Sequence, residues 1–335
     1  MTVPITFVSA CAASDDLLMI ATIPDEIRGD NLFTRIYYLS LNSDDAWHYS
    51  DWADQQVVSV CLRRAKDDLP RAGCAMTGEG QIEIANSSRA DYESISGAGL
   101  EGNRGLGELT KIREIGSTLF ACGAYGQVYR RIATGWTAID EPLVAAGRSI
   151  LNAVTEVGSQ SIEQIRKLTQ NLSKVPNFND IAGSSEDDVY VCGNGGNFFH
   201  YDGNNWANID TETDLILTCM HCVSADEIWV AGQDGIILQG NFNSGFRNMG
   251  QYFPESYIWS IRKFRGEIFL GTVHGLYIFT GNGVRLVETP YLKGVSPIIS
   301  IDSFSENGLW IVTNRHVFYN DGDQIRFYPH GDNPL

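Results

Sequence analysis

The feature that most constrains the fold of this chain is a unit of about 40 residues that recurs along it. Four clear copies lie in the C-terminal half, and two weaker copies precede them. In chain order the copies are AGCAMTGEGQIEIANSS (72–88), STLFACGAYGQVYRRIATGW (117–136), DDVYVCGNGGNFFHYDGNNW (187–206), DEIWVAGQDGIILQGN (226–241), GEIFLGTVHGLYIFTGNG (266–283) and NGLWIVTNRHVFYNDGD (307–323). Spacings of 46, 70, 39, 40 and 41 residues separate the residues that close the central turn, which are Gly80, Gly126, Gly196, Gly235, Gly275 and His316. This period is typical of the four-stranded blade of a β-propeller.

Each copy has the residue pattern of one blade. A strand with a large aromatic residue, such as Tyr190 or Trp229, is followed by a glycine turn, a third strand and a last strand that opens on an aromatic residue such as Trp206. One blade cannot bury both of its faces, whereas blades arranged in a ring cover one another. With 16–47 as a seventh, interrupted copy, we predict that residues 1–335 form a single all-β domain, a seven-bladed β-propeller of four-stranded blades. Six or eight blades are the neighbouring alternatives.

The repeats also resemble a known group of proteins. Their Ile/Val-Trp/Tyr-Val-x-Gly strands and the Tyr-Asp-Gly-x-x-Trp turn at 201–206 are similar to those of bacterial propellers related to photosystem II assembly factors, within the wider group of WD-repeat-like propellers. The resemblance is strong over 180–325 and weaker over 55–140. It implies a propeller fold and a tendency to bind proteins, and it provides no catalytic motif.

The acidic composition narrows the classes of partner. The chain has 24 Lys and Arg against 41 Asp and Glu, a formal net charge of −17. Such a charge repels nucleic-acid phosphates and anionic lipids and attracts basic proteins. We therefore expect a basic protein partner, no nucleic acid, no membrane, and a monomer when no partner is bound. The alternative is an acidic surface that only maintains solubility.

Three features of the chain favour a cytoplasmic location. No run of 18 or more apolar residues is present. A lipidated cysteine at Cys11 would need an export signal before it, with a positively charged region and an apolar region. Only ten residues precede Cys11 and the first basic residue is Arg28, so the segment does not match such a signal. The odd number of cysteines, seven, fits buried free thiols in a reducing compartment.

Long departures from the repeat are predicted to gather on one face of the ring. In an antiparallel blade, the turn between the second and third strands and the connection to the next blade open on the same face. The departures at these two positions are 22–34, 49–56, 96–108, 140–179 and 248–256. Insertions on one side of a repeat protein commonly mark its binding surface.

The longest departure, the inter-blade insertion 140–179, is predicted to contain a helix over about 158–174. Apolar residues from Ile162 to Leu172 recur at helical spacing, and Pro176 ends the pattern. The helix either covers part of the ring with its apolar stripe or controls access to the centre of the ring.

Aromatic and acidic residues in or beside these loops make up the predicted partner-binding face. Tyrosine and tryptophan are frequent anchors of protein interfaces, and carboxylates steer a basic partner. The predicted residues are Trp47, Tyr49, Asp51, Trp52, Asp54, Asp210, Glu212, Asp214, Tyr252, Phe253, Glu255 and Tyr257. The same aromatic residues equally suit the packing of blade edges, an alternative that the sequence leaves open.

The innermost strands place a second set of polar residues around the centre of the ring. Aligning those strands brings six charged or titratable residues to or beside the equivalent position. These channel residues are Lys111, Arg113, Asp180, His221, Arg262 and Asp302. A set of mixed charge is able to hold a small anionic ligand or to perform acid–base chemistry, and equally to remain solvated in a water-filled channel.

Two motifs with known chemistry are assigned structural roles. Gly97–Gly102 matches G-x-G-x-x-G, but a strand follows it where a nucleotide site needs a helix, so an inter-blade loop is favoured. Cys219 and Cys222 form a single C-x-x-C, and residues three apart on a strand point to opposite faces, so a structural pair is favoured over a metal site. We predict no catalytic residue, no cofactor and no metal.

Together these features favour a non-catalytic protein-binding propeller. In its most specific form, the hypothesis is an immunity or inhibitor protein that neutralises a basic bacterial toxin or nuclease. The alternative is a propeller enzyme or binding protein that acts on a small molecule or glycan in the central channel.

Overall fold

A computed structural model shows seven four-stranded antiparallel sheets, each built from strands consecutive in sequence. It describes residues 3–27, 32–43, 45–66, 69–155, 175–289, 292 and 297–334. The first strand of each sheet contacts the first strands of both neighbouring sheets, and the seventh sheet returns to the first. The sheets are therefore the blades of a closed ring, and the predicted seven-bladed β-propeller is confirmed.

The strands of the seven blades run in order from the centre of the ring outward. Blades one and two contain β1 (Ile5–Ser14), β2 (Leu17–Pro24), β3 (Phe33–Ser40), β4 (Trp47–Ala53), β5 (Val57–Arg63), β6 (Ala72–Thr77), β7 (Gln81–Ala85) and β8 (Ala90–Ser94). Blades three and four contain β9 (Leu109–Ile115), β10 (Thr118–Gly123), β11 (Val128–Ile132), β12 (Gly135–Ala138), β13 (Phe178–Ser185), β14 (Asp188–Gly193), β15 (Phe198–Tyr201) and β16 (Trp206–Asn208). Blades five and six contain β17 (Leu217–Ser224), β18 (Glu227–Gly232), β19 (Ile236–Asn241), β20 (Gly245–Gln251), β21 (Ile258–Phe264), β22 (Glu267–Thr272), β23 (Gly275–Phe279) and β24 (Val284–Leu286). Blade seven contains β25 (Ile298–Asp302), β26 (Leu309–Thr313), β27 (Val317–Asn320) and β28 (Ile325–Tyr328).

The hydrophobic core is divided among the interfaces between blades. Each interface holds one cluster of buried side chains, because alternate residues of a strand face the two neighbouring blades. Phe120 of blade three packs there with Phe178 and Ile181 of blade four. Trp310 of blade seven, fully buried, packs with Leu18 of blade one. No blade therefore has a core of its own, as expected for a repeat protein.

The innermost strands share a β-bulge near their starts. These strands are β1, β5, β9, β13, β17, β21 and β25. One residue of each has no partner on the second strand of its blade, and these bulged residues are Val8, Val58, Thr110, Asn179, Thr218, Trp259 and Ile299. A bulge changes the direction of the side chains that follow it. The bulge therefore fixes, in every blade, which residues face the central channel.

The connection between blades three and four contains α1 (Glu141–Thr155). Asp140 precedes it and its carbonyl oxygen accepts the N–H groups of Leu143 and Val144, both of which are buried. A helix is thus present in the insertion, upstream of the predicted one, and the predicted helix at 158–174 lies outside the described residues. No helix among the described residues is long and apolar enough to cross a lipid bilayer.

Three of the predicted departures are shorter than expected. The predicted departures 22–34, 49–56 and 248–256 correspond to the connections 25–32, 54–56 and 252–257. They are shorter because the neighbouring strands extend into the predicted ranges. The other two occupy the connections 95–108 and 139–177. We call the face formed by these connections and by the turns between second and third strands the insertion face, and the other side the opposite face. One long turn on the opposite face, 64–71, has no counterpart in the prediction.

The ring closes between blades seven and one through the C-terminal tail. The side chain of Asn333 accepts the N–H of Ile5 at 3.1 Å and donates to the carbonyl oxygens of Ile5 and Arg315, both at 2.9 Å. The ring of His330 lies 4.5 Å from that of Tyr37 and 4.7 Å from that of Trp47. The tail therefore joins the last blade to the first strand of the chain.

Candidate functional site

The bulges arrange the channel-facing residues of the innermost strands in two layers. The layer directly after the bulge, nearer the insertion face, contains Ser9, Ser59, Lys111, Asp180, Cys219, Ser260 and Ser300. The layer two residues further along contains Cys11, Cys61, Arg113, Ala182, His221, Arg262 and Asp302. All six predicted channel residues belong to these two layers, which we call the first and second layer.

Side chains of the first layer connect neighbouring blades. In four blades, the first-layer side chain accepts a hydrogen bond from a backbone N–H in the innermost strand of the next blade. The donor is always the residue that directly follows the first-layer residue of that next strand. The four contacts are Val60 N to Ser9 Oγ (3.1 Å), Ile112 N to Ser59 Oγ (3.2 Å), Met220 N to Asp180 Oδ2 (2.8 Å) and Ile301 N to Ser260 Oγ (2.8 Å). The first layer is therefore mainly a structural ring of acceptors.

Lys111 breaks this pattern in blade three. An ammonium group has no lone pair and cannot accept a hydrogen bond. If blade three followed the pattern, its first-layer side chain would accept the N–H of Ile181 in blade four. That N–H donates instead to Asp180 Oδ1 of its own strand at 2.9 Å. Within the described residues, Lys111 has neither a side-chain hydrogen bond nor an ion pair. Its charge therefore faces the channel unmatched.

Two ion pairs cross between blades at the channel wall. Arg113 Nη2 contacts the carboxylate oxygens of Asp180 at 2.7 and 3.0 Å, and Arg262 lies 3.1 Å from Asp302. Burial opposes the charge of Arg113, but Asp180 raises its pKa. The Asp302 carboxylate also accepts the N–H of Ala12 in blade one at 2.8 Å. Both carboxylates are thus engaged in holding blades together.

His221 lies in the second layer and is only 9 % exposed. Burial, together with the charges of Arg262 and Arg113, lowers the pKa of its imidazole well below the usual range. The ring is therefore neutral at physiological pH, with one N–H donor and one acceptor nitrogen. No described residue forms a hydrogen bond with that ring.

These residues surround one cavity of about 260 Å³ on the axis of the ring, and all six predicted channel residues line it. The lining residues that were not predicted include Arg64, Glu114, Trp259 and Phe304. The clearest signal in the sequence is Trp259, which is 43 % exposed and occupies a bulge position where the other blades have smaller side chains. Arg64 and Glu114 meet through a hydrogen bond of 2.9 Å from the Arg64 N–H to Glu114 Oε2.

The predicted acidic residues of the partner-binding face lie mostly in the blade connections. Asp54, Asp210, Glu212, Asp214 and Glu255 are exposed on the insertion face, and none of them forms an ion pair within the part of the chain that the structure describes. Asp234, which the sequence reasoning missed, joins two of these loops, because its Oδ1 accepts the N–H of Glu255 at 2.8 Å. Asp51 differs, since it is paired with Arg35 at 2.6 Å on the outer edge of blade one.

The predicted aromatic residues divide between surface and core. The interface prediction for Phe253 needs correction, because the side chain is only 7 % exposed and packs between blades five and six. Tyr252 is partly buried in the same cluster, and Tyr257 is half-buried and stacks on Trp259 at 5.1 Å.

Three other predicted aromatic residues lie on β4 rather than in a loop. Trp47 donates its indole N–H to the carbonyl oxygen of Pro329 at 3.1 Å, so it supports the closure of the ring. Trp52 packs against the core between blades one and two. Tyr49, 58 % exposed, is the most accessible of the predicted aromatic residues.

Charge is distributed unevenly between the two faces. The described loops of the insertion face hold the carboxylates Asp25, Glu26, Asp54, Glu79, Glu101, Glu108, Asp140, Glu141, Asp210, Glu212, Asp214, Asp234, Glu255, Glu288 and Asp332. Their cations are Arg104, Arg148 and Arg315, and two of these are paired, Arg104 with Asp140 and Arg315 with Asp25. The described turns of the opposite face intersperse their carboxylates with Arg64, Lys66, Arg71, Arg89 and Arg265. Among the described residues, the insertion face is therefore the more negative of the two.

Comparison with known proteins gives one curated relative and many solved propellers. No family model matches the chain. The chain is 24% identical over 312 residues to a Pseudomonas aeruginosa protein named Immune protein Tsi7, and the alignment covers 92% of each chain. This fold and this relative are compatible with a non-catalytic binding or immunity protein.

Among solved structures, the WD40 β-propeller domain of Doa1 is 11% identical with a TM-score of 0.62, covering 99% of this chain and 96% of that one. YCF48 from Cyanidioschyzon merolae is 11% identical with a TM-score of 0.61, covering 99% of this chain and 98% of that one. These structures share the propeller fold, as the resemblance in the repeats implied.

Proposed function

We propose that this chain is an immunity protein that binds a basic protein toxin through its insertion face and neutralises it. The observation that carries the proposal is the surplus of carboxylates over cations among the described residues of that face, most of them without an ion pair there. Opposite charges raise the rate of encounter and orient the two proteins, so such a face favours a basic partner. The likeness over 92% of each chain to a protein named as an immune protein also supports this proposal.

The acidic loop between blades four and five is the proposed centre of the contact. Asp210, Glu212 and Asp214 are exposed within it. Asp210 Oδ1 accepts the N–H of Glu212 at 2.9 Å, which fixes the loop without consuming its charge. Asp234 and Glu255 extend the negative surface toward the next blade. In this proposal the protein acts in the cytoplasm and is monomeric until the toxin binds.

Capture from the native host followed by charge-neutral variants tests the proposal. The test variant combines Asp210→Asn, Glu212→Gln and Asp214→Asn, and the amide introduced at position 210 keeps an oxygen that accepts the Glu212 N–H. The matched control combines Asp45→Asn, Asp226→Asn and Asp323→Asn, all exposed in turns of the opposite face. Both variants lose the same charge.

We expect the captured protein to be basic and the purified pair to associate more slowly as salt increases. The test variant should lower the association rate constant by about tenfold at low salt, while the control changes it little. Coexpression of the chain with the captured protein should restore growth if that protein is toxic. An acidic partner, association that is indifferent to salt, or equal effects of both variants would contradict the proposal.

A further inference from the structure

We propose that the central channel binds a small oxyanion, a phosphate or the phosphoryl group of a small metabolite, between Lys111 and His221. This site is separate from the proposed partner-binding face, and it does not depend on the immunity function. It would give the ring a second ligand of opposite charge to its protein partner.

The first support is the position of Lys111 in a layer that otherwise holds acceptors or small side chains. Serine or aspartate at this position satisfies the N–H of the next blade in four blades. Lysine cannot do so, and the N–H of Ile181 is satisfied from its own strand instead. A residue that breaks a local structural rule, and whose own charge has no partner, is expected mainly at functional sites.

The second support is His221, a largely buried imidazole in the cavity wall. His221 is nine-tenths buried, lines the cavity, and forms no hydrogen bond with any described residue. The ring nitrogens of His221 are not among the fully enclosed atoms, so they keep accessible surface, and a ligand or water in the cavity would provide their hydrogen-bond partner.

The balance of charge around the cavity favours an anion. The charged residues that line it are Lys111, Arg113, Arg262, Arg64, Asp180, Asp302 and Glu114. Asp180 and Asp302 are already shared with Arg113 and Arg262, whereas Glu114 accepts the backbone N–H of Arg64 and not its guanidinium. Among the described residues, Lys111 and Arg64 therefore remain as lining cations without an ion pair, and an oxyanion would provide a counterion along with acceptors for nearby donors.

The size of the cavity limits the ligand to a small molecule. At about 30 Å³ per water molecule, a volume of about 260 Å³ holds a phosphate group with several waters. The aromatic rings of Trp259 and Phe304, 43 % and 37 % exposed, also border the cavity. They offer an apolar contact to the organic part of a phosphorylated metabolite.

Isothermal titration calorimetry of the full chain with inorganic phosphate and with glucose 6-phosphate tests the site, in buffers matched for ionic strength with chloride. We expect saturable binding by the wild type and at least about a tenfold weaker affinity for Lys111→Met, because one charged hydrogen bond is lost. Lys66→Met removes the same charge from an exposed turn outside the cavity and should bind as the wild type does. Lys111→Arg should restore part of the affinity.

Circular dichroism and thermal melting separate loss of the site from loss of the fold. Lys111→Met should melt at or above the wild-type temperature without phosphate, because an unmatched charge is removed, and phosphate should stabilise only the wild type and the control. Tighter binding of the ester than of phosphate would identify a metabolite as the ligand, and equal binding would identify the free ion. Absence of saturable binding of either probe, or unchanged affinity in a folded Lys111→Met protein, would overturn the proposal.

Discussion

At the scale of single residues, the buried side chain of His221 makes the stability of the folded chain depend on pH. A histidine in the unfolded chain titrates near pH 6.5, whereas burial and the nearby guanidinium groups lower the pKa of His221 in the folded chain. As the pH falls, the unfolded state binds the proton first. The stability due to neutral His221 is therefore present above about pH 6.5 and is lost as the pH falls toward the folded pKa.

We expect the free energy of unfolding to fall more steeply between about pH 7 and pH 5 in the wild type than in His221→Gln. Urea denaturation at several pH values measures the two slopes. Burial also lowers the pKa values of His316 and His330, but they contribute equally to both proteins. Parallel curves for the two proteins would contradict the role given to His221.

Residue identity alone reveals part of the channel and little of the surface. The six channel residues were predictable because alignment of the innermost strands brings charged or titratable side chains to equivalent positions, and the structure brings them to one cavity. Whether an aromatic residue faces solvent was not predictable, since Phe253 in a loop is buried while Tyr49 on a strand is exposed. The distinction depends on which neighbouring blade covers each ring, and that contact is remote in sequence.

At the scale of elements, glycine turns fix where the loops of the insertion face lie. Gly196 closes the turn between β14 and β15 with φ of +68°, and a Cβ there would overlap the carbonyl oxygen of Thr213 in the acidic loop. Gly245 has a similar φ of +79° with open space around it. The two positions therefore separate the cost of the backbone conformation from the cost of displacing the loop.

Alanine at Gly245 should lower the free energy of unfolding by about 1–2 kcal/mol, the cost of a left-handed conformation for a residue with a Cβ. Alanine at Gly196 should cost more, because the loop at Thr213 must also move. Chemical denaturation of both variants measures the difference. If Gly196→Ala is no less stable than Gly245→Ala, the close contact does not control the loop.

Most strands were predictable from the repeat, and the outermost strand of blade one was not. The segment WHYSDWA mixes charged and aromatic residues, because an outer strand has one side open to solvent, and this composition is also typical of a loop. The two layers of the channel were also not predictable from the sequence. The bulge adds one residue to every innermost strand, so the pairing of channel positions follows only from the hydrogen-bond register.

At the scale of the whole molecule, contacts of the C-terminal tail complete the closure of the ring between blades seven and one. Asn333 is buried and satisfies the backbone of both Ile5 and Arg315. Asn333→Ala leaves these groups without partners, and we expect a loss of about 1–3 kcal/mol in the free energy of unfolding. Asn204→Ala, in an exposed turn of the opposite face, should change it by less than about 0.5 kcal/mol. Equal stability of the two variants in thermal melting would show that the tail does not hold the ring closed.

The position of that tail decides how the protein should be attached in a binding experiment. Asn333 holds the chain end against Ile5, where β1 starts on the insertion face. A sensor surface or fluorophore coupled at this end would stand on the same face as the acidic loops and obstruct a docking toxin. Coupling through a cysteine introduced at Asn204 would instead present those loops to solution, so a false negative caused by immobilisation is avoidable by design.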